Sequence, residues 1–394
     1  MTKQSNGQSG APPAATPTGD PWLLTPGPLT TSPEVKQAML HDFGSRDEGF
    51  IAINRGVRER LVRIAGGGED FVCVPLQGSG TFVVEAMIGN FVPADGKLLV
   101  LINGAYGHRI AKIAGYYGLE IAAIETAEDV PVDPEALDRL LGTDASISHV
   151  AVVHCETTSG ILNPVEAVAE VTARHGRRLL IDAMSAFGAL PLDATKTPFD
   201  AVVASSNKCL EGVPGMGFCI ARKAALEATK GSSPSLSLDL HDQWQAMEKN
   251  GQWRFTPPVQ VVAAFARALD AFEAEGGVAG RGARYGENCR LLVEGLRGLG
   301  FETLLPDALQ APIIVTFHMP ADPRFDFTRF YDSLRARGYV IYPGKLTVAD
   351  SFRIGCIGRI DKDVIGGLVE AVGQTLDEMG VTERGPARPR AATA

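Results

Sequence analysis

Short aliphatic runs alternate with amphipathic stretches through the middle of the 394-residue chain, and this alternation restricts the possible folds most strongly. The apolar runs are Phe71–Leu76, Lys97–Ile102, Glu120–Ile124, His149–His154, Arg178–Asp182, Phe199–Ala204 and Gly217–Ala221. The helix-like stretches between them are Thr81–Phe91, Gly107–Tyr117, Pro134–Leu141 and Pro164–His175. Continuous aliphatic strands separated by helices are typical of a mostly parallel sheet covered on both faces. We therefore predict an α/β fold with a seven-stranded sheet. Gly217–Ala221 follows its predecessor too closely for a helical crossover and is predicted to run antiparallel.

The pattern changes after Pro258. Two long helical stretches, Val259–Glu275 and Gly282–Leu299, come first. The elements that follow are Pro312–Phe317, Phe327–Arg337, Tyr339–Pro343, Ser351–Gly355 and Asp361–Met379. Strands and helices that segregate in this way are typical of a small α+β domain. The chain is also longer than one ordinary hydrophobic core, which favours two domains.

These features divide the chain into five predicted units. The central pair consists of a large ligand-binding domain and a small C-terminal domain, and the terminal sequences rich in Gly, Pro, Ala, Ser or Thr are typical of disorder. The predicted units are a disordered tail (1–20), an N-terminal segment that contributes to the site and the small domain (21–40), the large domain (41–270), the small domain (271–380) and a second disordered tail (381–394).

The composition argues against several classes of protein. Apolar residues make up 45% of the chain and charged residues 21%, as in ordinary globular proteins. The net charge of −9 does not support binding to nucleic acid or anionic membranes, so an anionic ligand needs a local cationic pocket. The six cysteines lack short paired spacings, and residues 1–20 lack the apolar core of a signal peptide. We predict a cytoplasmic protein with reduced thiols, no metal site, and no nucleic-acid or membrane partner.

A lysine and an aspartate stand at the ends of two neighbouring apolar runs. Lys208 follows Phe199–Ala204, and a lysine in an apolar site has a lowered pKa and becomes a usable amine. Asp182 ends its own run, and ligands of open α/β sheets bind outside the carboxyl ends of the strands. Taken alone, a lysine such as Lys208 is more often a solvated surface residue, and Asp182 is equally a turn or helix-cap residue. Together they indicate a Schiff-base lysine beside an acid.

The turn Gly78-Ser79-Gly80-Thr81 follows the first apolar run and begins a helix. Its glycines let backbone amides approach an anion, the two hydroxyls add donors, and a helix N-terminus favours negative charge. A phosphate group fits this turn, and an ordinary strand-to-helix turn fits it equally, because the fingerprint GxGxxG is absent. With Lys208 and Asp182, the turn completes the three parts that hold pyridoxal phosphate (PLP): imine, pyridinium partner and phosphate cradle.

Three further residues are candidates, each with a competing structural interpretation. Thr157 follows the strand His149–His154 and is placed to donate to a cofactor oxygen or to cap a turn. Tyr106 follows Lys97–Ile102 and is placed to stack on a ring or to pack in the core. Arg353 lies among apolar residues, so it needs an anionic partner, which is a ligand carboxylate or phosphonate, or an internal acid.

Six strings occur in an order that carries a family resemblance. They are Leu24–Pro28, Asp42–Asp47, Leu76–Thr81, Asn103–Gly107, His154–Thr158 and Asn207–Gly215. Together they resemble the 2-aminoethylphosphonate–pyruvate transaminases, a family of class V aminotransferases with PLP fold type I. The resemblance extends from about Trp22 to about Met379.

The resemblance implies a role for each candidate. Lys208 would form the Schiff base with PLP and carry the proton, and Asp182 would pair with the pyridinium. The other implied roles are phosphate binding by Ser79, Gly80 and Thr81, ring stacking by Tyr106, a ring hydrogen bond from Thr157, carboxylate binding by Arg353, and contact of Thr256 with the phosphate of a partner subunit. A homodimer with shared active sites is therefore expected.

The implied reaction transfers the amine of 2-aminoethylphosphonate to pyruvate, giving phosphonoacetaldehyde and L-alanine in phosphonate degradation. The candidates for phosphonate binding are Ser45, Arg46 and the Pro26–Pro28 turn. An alanine–glyoxylate or serine–pyruvate aminotransferase remains an alternative, since it shares the lysine, aspartate and arginine. A cysteine desulfurase would depend on Cys356, whose apolar setting indicates an inert thiol. A PLP-fold sensor remains a third alternative, although this chain carries no fused DNA-binding segment.

Overall fold

The computed structural model describes residues 14–346 and 349–386, and the helices and strands named below belong to this part of the chain. The α-helices are α1 (Pro33–Gln37), α2 (Glu48–Ile64), α3 (Gly80–Phe91), α4 (Ala105–Tyr116), α5 (Pro134–Thr143), α6 (Val165–Arg174), α7 (Lys223–Glu227), α8 (Leu240–Asn250), α9 (Val259–Ala274), α10 (Gly277–Gly298), α11 (Phe327–Ala336) and α12 (Lys362–Met379). The strands are β1 (Trp22–Leu23), β2 (Phe71–Gly78), β3 (Lys97–Ile102), β4 (Glu120–Glu125), β5 (Ile147–Val153), β6 (Cys155–Glu156), β7 (Ile161–Leu162), β8 (Arg178–Asp182), β9 (Ala201–Ser205), β10 (Gly215–Arg222), β11 (Ile314–His318), β12 (Tyr339–Val340), β13 (Tyr342–Pro343) and β14 (Ser351–Gly355).

Seven of the described strands form the central sheet, in the order β2-β10-β9-β8-β5-β3-β4. The pairs from β9 to β4 are parallel, whereas β10 is antiparallel to both β2 and β9. The short connection between β9 and β10 leaves no room for a crossover helix, which explains the reversal. The predicted seven-stranded, mostly parallel sheet and its antiparallel strand are therefore confirmed.

The sheet is buried on both faces, and alternate residues of each strand enter different hydrophobic cores. In β3, Leu99 and Leu101 enter one core, while Leu98 and Val100 enter the other. The first core packs against α2, α5, α6 and α9, and the second against α3, α4 and α8. Side chains alternate along a strand with a period of two, so covering both faces requires the continuous aliphatic runs seen in the sequence.

A second, smaller sheet is formed by β11, β14 and β13 and packs with α10, α11 and α12. Its core is aromatic, and the rings of Phe317 and Phe352 stack with centroids 5.6 Å apart. The N-terminal segment joins this region, because β1 pairs in parallel with β12. The predicted strand Tyr339–Pro343 is divided into β12 and β13, which belong to different sheets.

Part of the predicted N-terminal disordered tail, 1–20, is anchored to the small sheet region. Ala14 donates its amide to the carbonyl of Arg337 at 2.9 Å, and Thr16 is 7% exposed. Ala14 also packs against the core of this region, and the amine of Lys36 contacts Asp20 at 2.6 Å. The polar composition of the stretch gives no sign of these contacts. Residues 1–13 of the predicted tail lie outside the described residues.

Part of the predicted C-terminal tail, 381–394, also contradicts the prediction of disorder. Val381 is 2% exposed and belongs to the aromatic core of the small domain. The carboxylate of Asp322 accepts the backbone amide of Thr382 at 2.8 Å. The remainder of this predicted tail, 387–394, is not described by the structure.

None of the described helices is both long enough and apolar enough to cross a membrane. The six cysteines all fall within the described residues, where each is buried and unbridged. The interpretation of these residues as core thiols agrees with this placement.

Candidate active site

One cavity of about 590 Å³ lies where β5, β8 and β9 end. The carboxyl ends of parallel strands meet at one edge of a sheet, which brings residues distant in sequence to a common site. Seven of the nine residues predicted from the sequence line this cavity: Ser79, Gly80, Thr81, Tyr106, Thr157, Asp182 and Lys208. The structure therefore brings the candidate lysine, acid and phosphate turn together.

Lys208 reaches the cavity from the loop after β9 and has an unusual partner. Its amine donates to the carbonyl of Pro26 at 2.6 Å, and within the described part of the chain no carboxylate forms an ion pair with it. Gly27 makes room for the amine, because a Cβ at that position would stand 2.8 Å from the Lys208 Nζ. Burial lowers the pKa of Lys208, which increases the fraction of neutral, nucleophilic amine.

Asp182 ends β8 and is 4% exposed. Its Oδ1 accepts the backbone amide of Met184 at 2.9 Å. This oxygen therefore stabilises the turn that follows β8. Burial, supported by the nearby charge of Glu156, raises the pKa of Asp182 to about 6, although Arg109 and Lys208 oppose the shift. A cationic N–H donor placed in the cavity would stabilise the charged form of this buried carboxylate.

The turn before α3 presents backbone amides toward the cavity. Ser79 is the N-cap residue with extended dihedrals, and in the described structure its side chain makes no capping hydrogen bond. Gly78 has φ +122°, a conformation that favours glycine, and a Cβ there would lie 2.7 Å from the Phe82 ring. The first amides of α3 and the Ser79 and Thr81 hydroxyls thus form a cradle for an anion.

Arg109 adds a positive charge to this cradle, and sequence reasoning missed it. It lies on α4, lines the cavity, and donates from Nη1 to the Thr81 hydroxyl at 3.2 Å. No local pattern marks Arg109, since its role depends on the approach of α4 to α3. A cation beside a helix N-terminus strengthens the case for a bound phosphate.

Glu156 is a second residue that the sequence analysis overlooked. Its Oε2 accepts the amides of Tyr106 at 3.0 Å and Gly107 at 3.4 Å, and its Oε1 accepts the Thr158 hydroxyl at 2.7 Å. The fully buried carboxylate therefore caps the N-terminus of α4 from another element. It fixes Tyr106, the second residue of α4, at the wall of the cavity.

Tyr106 and Thr157 both line this wall of the cavity. Burial acts to raise the pKa of Tyr106, but the Thr157 hydrogen bond and the charges of Lys345, Lys208 and Arg109 outweigh it, so the net pKa is lowered. The guanidinium carbon of Arg109 lies 4.7 Å from the centre of the Tyr106 ring. The wall is therefore aromatic and surrounded by positive charge.

Arg353 lies behind this wall on β14 and is 3% exposed. Its Nη1 donates to the Thr157 carbonyl at 2.6 Å, and its Nε donates to the Pro343 carbonyl at 3.1 Å. No carboxylate among residues 14–346 and 349–386 pairs with it, which argues against an internal salt bridge. Burial lowers the pKa of Arg353. A planar cation without an acidic partner is suited to bind a ligand anion.

Four predicted residues lie outside the cavity lining: Arg353, which is behind the wall, and Thr256, Ser45 and Arg46. Thr256 is exposed and lines a second cavity of about 270 Å³ instead. Ser45 is half-buried and Arg46 exposed, and neither borders the main cavity, whereas Gly27 and Pro28 do. Of the positions predicted from the sequence to bind the phosphonate, only the Pro26–Pro28 turn therefore borders the main cavity of this chain.

Cys356 is fully buried, and a hydrogen bond to Cys289 together with burial raises its pKa well above the ordinary value. A thiol of this kind is not a mobile nucleophile. This placement agrees with the interpretation of Cys356 as inert.

A family model described as aminotransferase class-V matches residues 56–336. The chain belongs to the class-V aminotransferases. Its membership agrees with the lysine, buried acid and anion cradle around one cavity, and the predicted family is confirmed.

Two curated proteins similar to this class-V aminotransferase are named 2-aminoethylphosphonate–pyruvate transaminases. The protein from Pseudomonas fluorescens is 55% identical over 364 residues, covering 92% of this chain and 99% of that protein. The protein from Polaromonas sp. is 56% identical over 367 residues, covering 92% of this chain and 98% of its own length.

The class-V aminotransferase also resembles a solved structure, that of pyridoxamine–pyruvate aminotransferase from Mesorhizobium loti. The two align with a TM-score of 0.84 at 25% identity, covering 93% of this chain and 95% of the other. The predicted fold, a large mostly parallel sheet with a smaller domain as in PLP fold type I, is confirmed by this likeness.

Proposed function

We propose that this chain is a PLP-dependent 2-aminoethylphosphonate–pyruvate transaminase of phosphonate degradation. The observation that carries the proposal is a cavity lined by an amine that has no acidic partner in the described part of the chain, a buried acid and a cationic anion cradle. The substrate assignment is supported by the names of the relatives that are 55% and 56% identical over nearly their full lengths.

The cavity fits the chemistry of PLP group by group. The α3 amides, the hydroxyls of Ser79 and Thr81, and Arg109 would hold its phosphate. Asp182 would accept the ring N–H, and Thr157 with Tyr106 would contact the ring. When bound, PLP supplies an electron sink for the bond that breaks at the carbon carrying the amine.

Lys208 is the group in this cavity that is able to move a proton. Its amine is enclosed and its pKa is lowered by burial, so it is available as a base. It would take the proton from the amine-bearing carbon of the donor and return a proton to the carbon of the acceptor. The nearby Tyr106–Thr157 pair and the carbonyl of Pro26 would orient the amine for this transfer.

Arg353 would bind the carboxylate of pyruvate or L-alanine. Its two hydrogen bonds to backbone carbonyls fix the guanidinium against β13 and the Thr157 loop. Two successive substrates would then use one cavity: 2-aminoethylphosphonate leaves as phosphonoacetaldehyde, and pyruvate leaves as L-alanine. The lysine and arginine take part in both halves of this cycle.

The exposed position of Thr256 supports a homodimer in which the two subunits share their active sites. This residue is exposed and lines the second cavity together with Phe82 and Phe255, which are 52% and 49% exposed. Aromatic side chains exposed next to a polar candidate ligand favour coverage by another copy, in which Thr256 would reach the phosphate of the partner. The cytoplasmic location also remains a proposal.

Single amines added to the PLP-loaded enzyme without a keto acid provide the test. We expect 2-aminoethylphosphonate to convert the absorption of the lysine-bound cofactor to that of the amine form, and pyruvate to reverse the change. Serine and glycine should leave it unchanged. Conversion by serine or glycine but not by 2-aminoethylphosphonate would contradict the substrate assignment and favour a serine–pyruvate or alanine–glyoxylate enzyme.

A further inference from the structure

Two cations of the small domain meet one wall of the active-site cavity. The Nζ of Lys345 lies 4.1 Å from the centre of the Tyr106 ring. Arg353 donates to the carbonyl of Thr157, which lines the cavity together with Tyr106. Both positive charges therefore approach the same Tyr106–Thr157 pair.

The two cations belong to segments that are joined through strand pairing. In the small sheet, Tyr342 of β13 pairs with Arg353 of β14, and the Pro343 carbonyl accepts the Arg353 Nε at 3.1 Å. Lys345 follows Pro343 by two residues. The two cations therefore come from adjacent segments of the small sheet region and approach the same wall.

Neither cation has a carboxylate partner among the residues that the structure describes. The chain as a whole has a net charge of −9, so acidic side chains are not scarce. A cation–π contact such as that of Lys345 with Tyr106 is weak when partly exposed, so the amine is able to bind a stronger anionic partner.

The two substrates of the proposed reaction differ in the anion they offer. A carboxylate has two oxygens and one negative charge, and the planar fork of Arg353 satisfies both oxygens. A phosphonate has three oxygens and, like a phosphate monoester with a second pKa of about 6, carries up to two charges near neutral pH. A compact ammonium group is suited to the remaining oxygen.

We propose that Lys345 is a specificity-determining residue that binds the phosphonate of the amino donor, whereas Arg353 binds both the phosphonate and the carboxylate. This inference rests on the proposed function and assigns the second charge of the donor to a named side chain. It also explains how one cavity accepts anions of different charge in turn. The phosphonate uses both cations, and the carboxylate uses one.

The two half-reactions of the PLP-loaded enzyme, measured separately by the change in cofactor absorption, test this proposal. We expect Lys345→Gln to lower the second-order rate constant with 2-aminoethylphosphonate by about 10- to 100-fold, since a hydrogen bond to a charged group contributes about 1.5–3 kcal/mol. The rate constant with L-alanine should change by less than about threefold. Lys345→Arg, which keeps the charge, should recover most of the lost rate.

The matched control is Lys196→Gln, because Lys196 is an exposed lysine whose side chain is 77% accessible. It should leave both rate constants unchanged. An equal loss with both amines in Lys345→Gln would show that Lys345 only supports Tyr106 and would overturn the proposal, as would no loss with either. If the wild-type enzyme is not converted by 2-aminoethylphosphonate, the proposed function itself fails, which separates the two outcomes.

Discussion

Two groups of buried charges lie on either side of the Lys208 loop, and they are paired in opposite ways. We call the first group the Glu211 network, which consists of Glu211, Glu275, Arg281, Arg284 and Tyr285. In this network Arg284 contacts both acids at 2.6 Å, Arg281 contacts Glu275 at 2.7 Å, and Tyr285 donates to Glu211 at 2.6 Å. Lys208 in the cavity lining and Arg353 behind the cavity wall have no acidic partner among the described residues.

The charges of the Glu211 network are paired with each other and stabilise the fold. The two cations at the cavity lack such a pair and are available to bind a ligand. Arg284 also donates to the carbonyls of Gly358 and Ile360, and Arg281 donates to the carbonyl of Cys209. The Glu211 network thus ties the loop beside Lys208 to the segment that follows β14. A buried charge needs compensation, and where the protein does not supply it a ligand is the natural source.

The largest expected effect belongs to the cavity. Lys208→Ala should lower the turnover number by about 10³-fold, because the group that moves the proton is removed. The variant should still retain PLP, since the phosphate cradle and Asp182 are untouched, but without the absorption of the lysine-bound cofactor. Cofactor content and steady-state activity measure the two effects. Wild-type turnover in Lys208→Ala would remove Lys208 from this role.

A substitution in the Glu211 network should lower the free energy of unfolding and leave the turnover number nearly unchanged. Glu211→Gln leaves Arg284 and Arg281 incompletely compensated, and breaking a buried ion pair from one side costs about 3 kcal/mol. Urea unfolding of the loaded enzyme should detect this loss, while the folded variant keeps a turnover number within about threefold of wild type.

The matched control for Glu211→Gln is Glu294→Gln. Glu294 also contacts an arginine at 2.6 Å, but its side chain is 59% exposed. Exposed ion pairs contribute little, so its removal should produce hardly any change in unfolding. Equal unfolding midpoints for the two variants would show that burial does not distinguish these pairs.

Much of the cavity was predictable because strand patterns place residues at one edge of a sheet. Lys208, Asp182 and the turn before α3 all follow aliphatic runs, and parallel strands bring such ends together. Tyr106 and Thr157 also line the cavity as predicted, but their suggested contacts with a ring stay predictions.

The residues that sequence reasoning missed act through contacts between distant elements. Glu156 stands beside Thr157 in the sequence, yet its function as a cap appears only when β6 meets the start of α4. Arg109 becomes part of the phosphate cradle only because α4 packs beside α3. The anchoring of residues 14–20 likewise depends on a backbone partner more than 300 positions away. Local periodicity contains no signal for such contacts.

The smallest expected effect follows from the incomplete pairing of Asp182 in the cofactor-free protein. Its ordinary pKa is 3.8 and its folded pKa is raised to about 6, chiefly by burial, so between these values the folded state holds a proton that the unfolded chain has released. Stability must therefore fall as the pH rises through this window, by about 1 kcal/mol between pH 5 and pH 7. Urea unfolding of the cofactor-free wild type and Asp182→Asn should differ in this slope, because asparagine does not titrate.

A parallel pH dependence in the two proteins would contradict the raised pKa. A cofactor N–H beside the carboxylate should abolish this pH dependence of stability, because it gives the charged carboxylate a hydrogen-bonding partner.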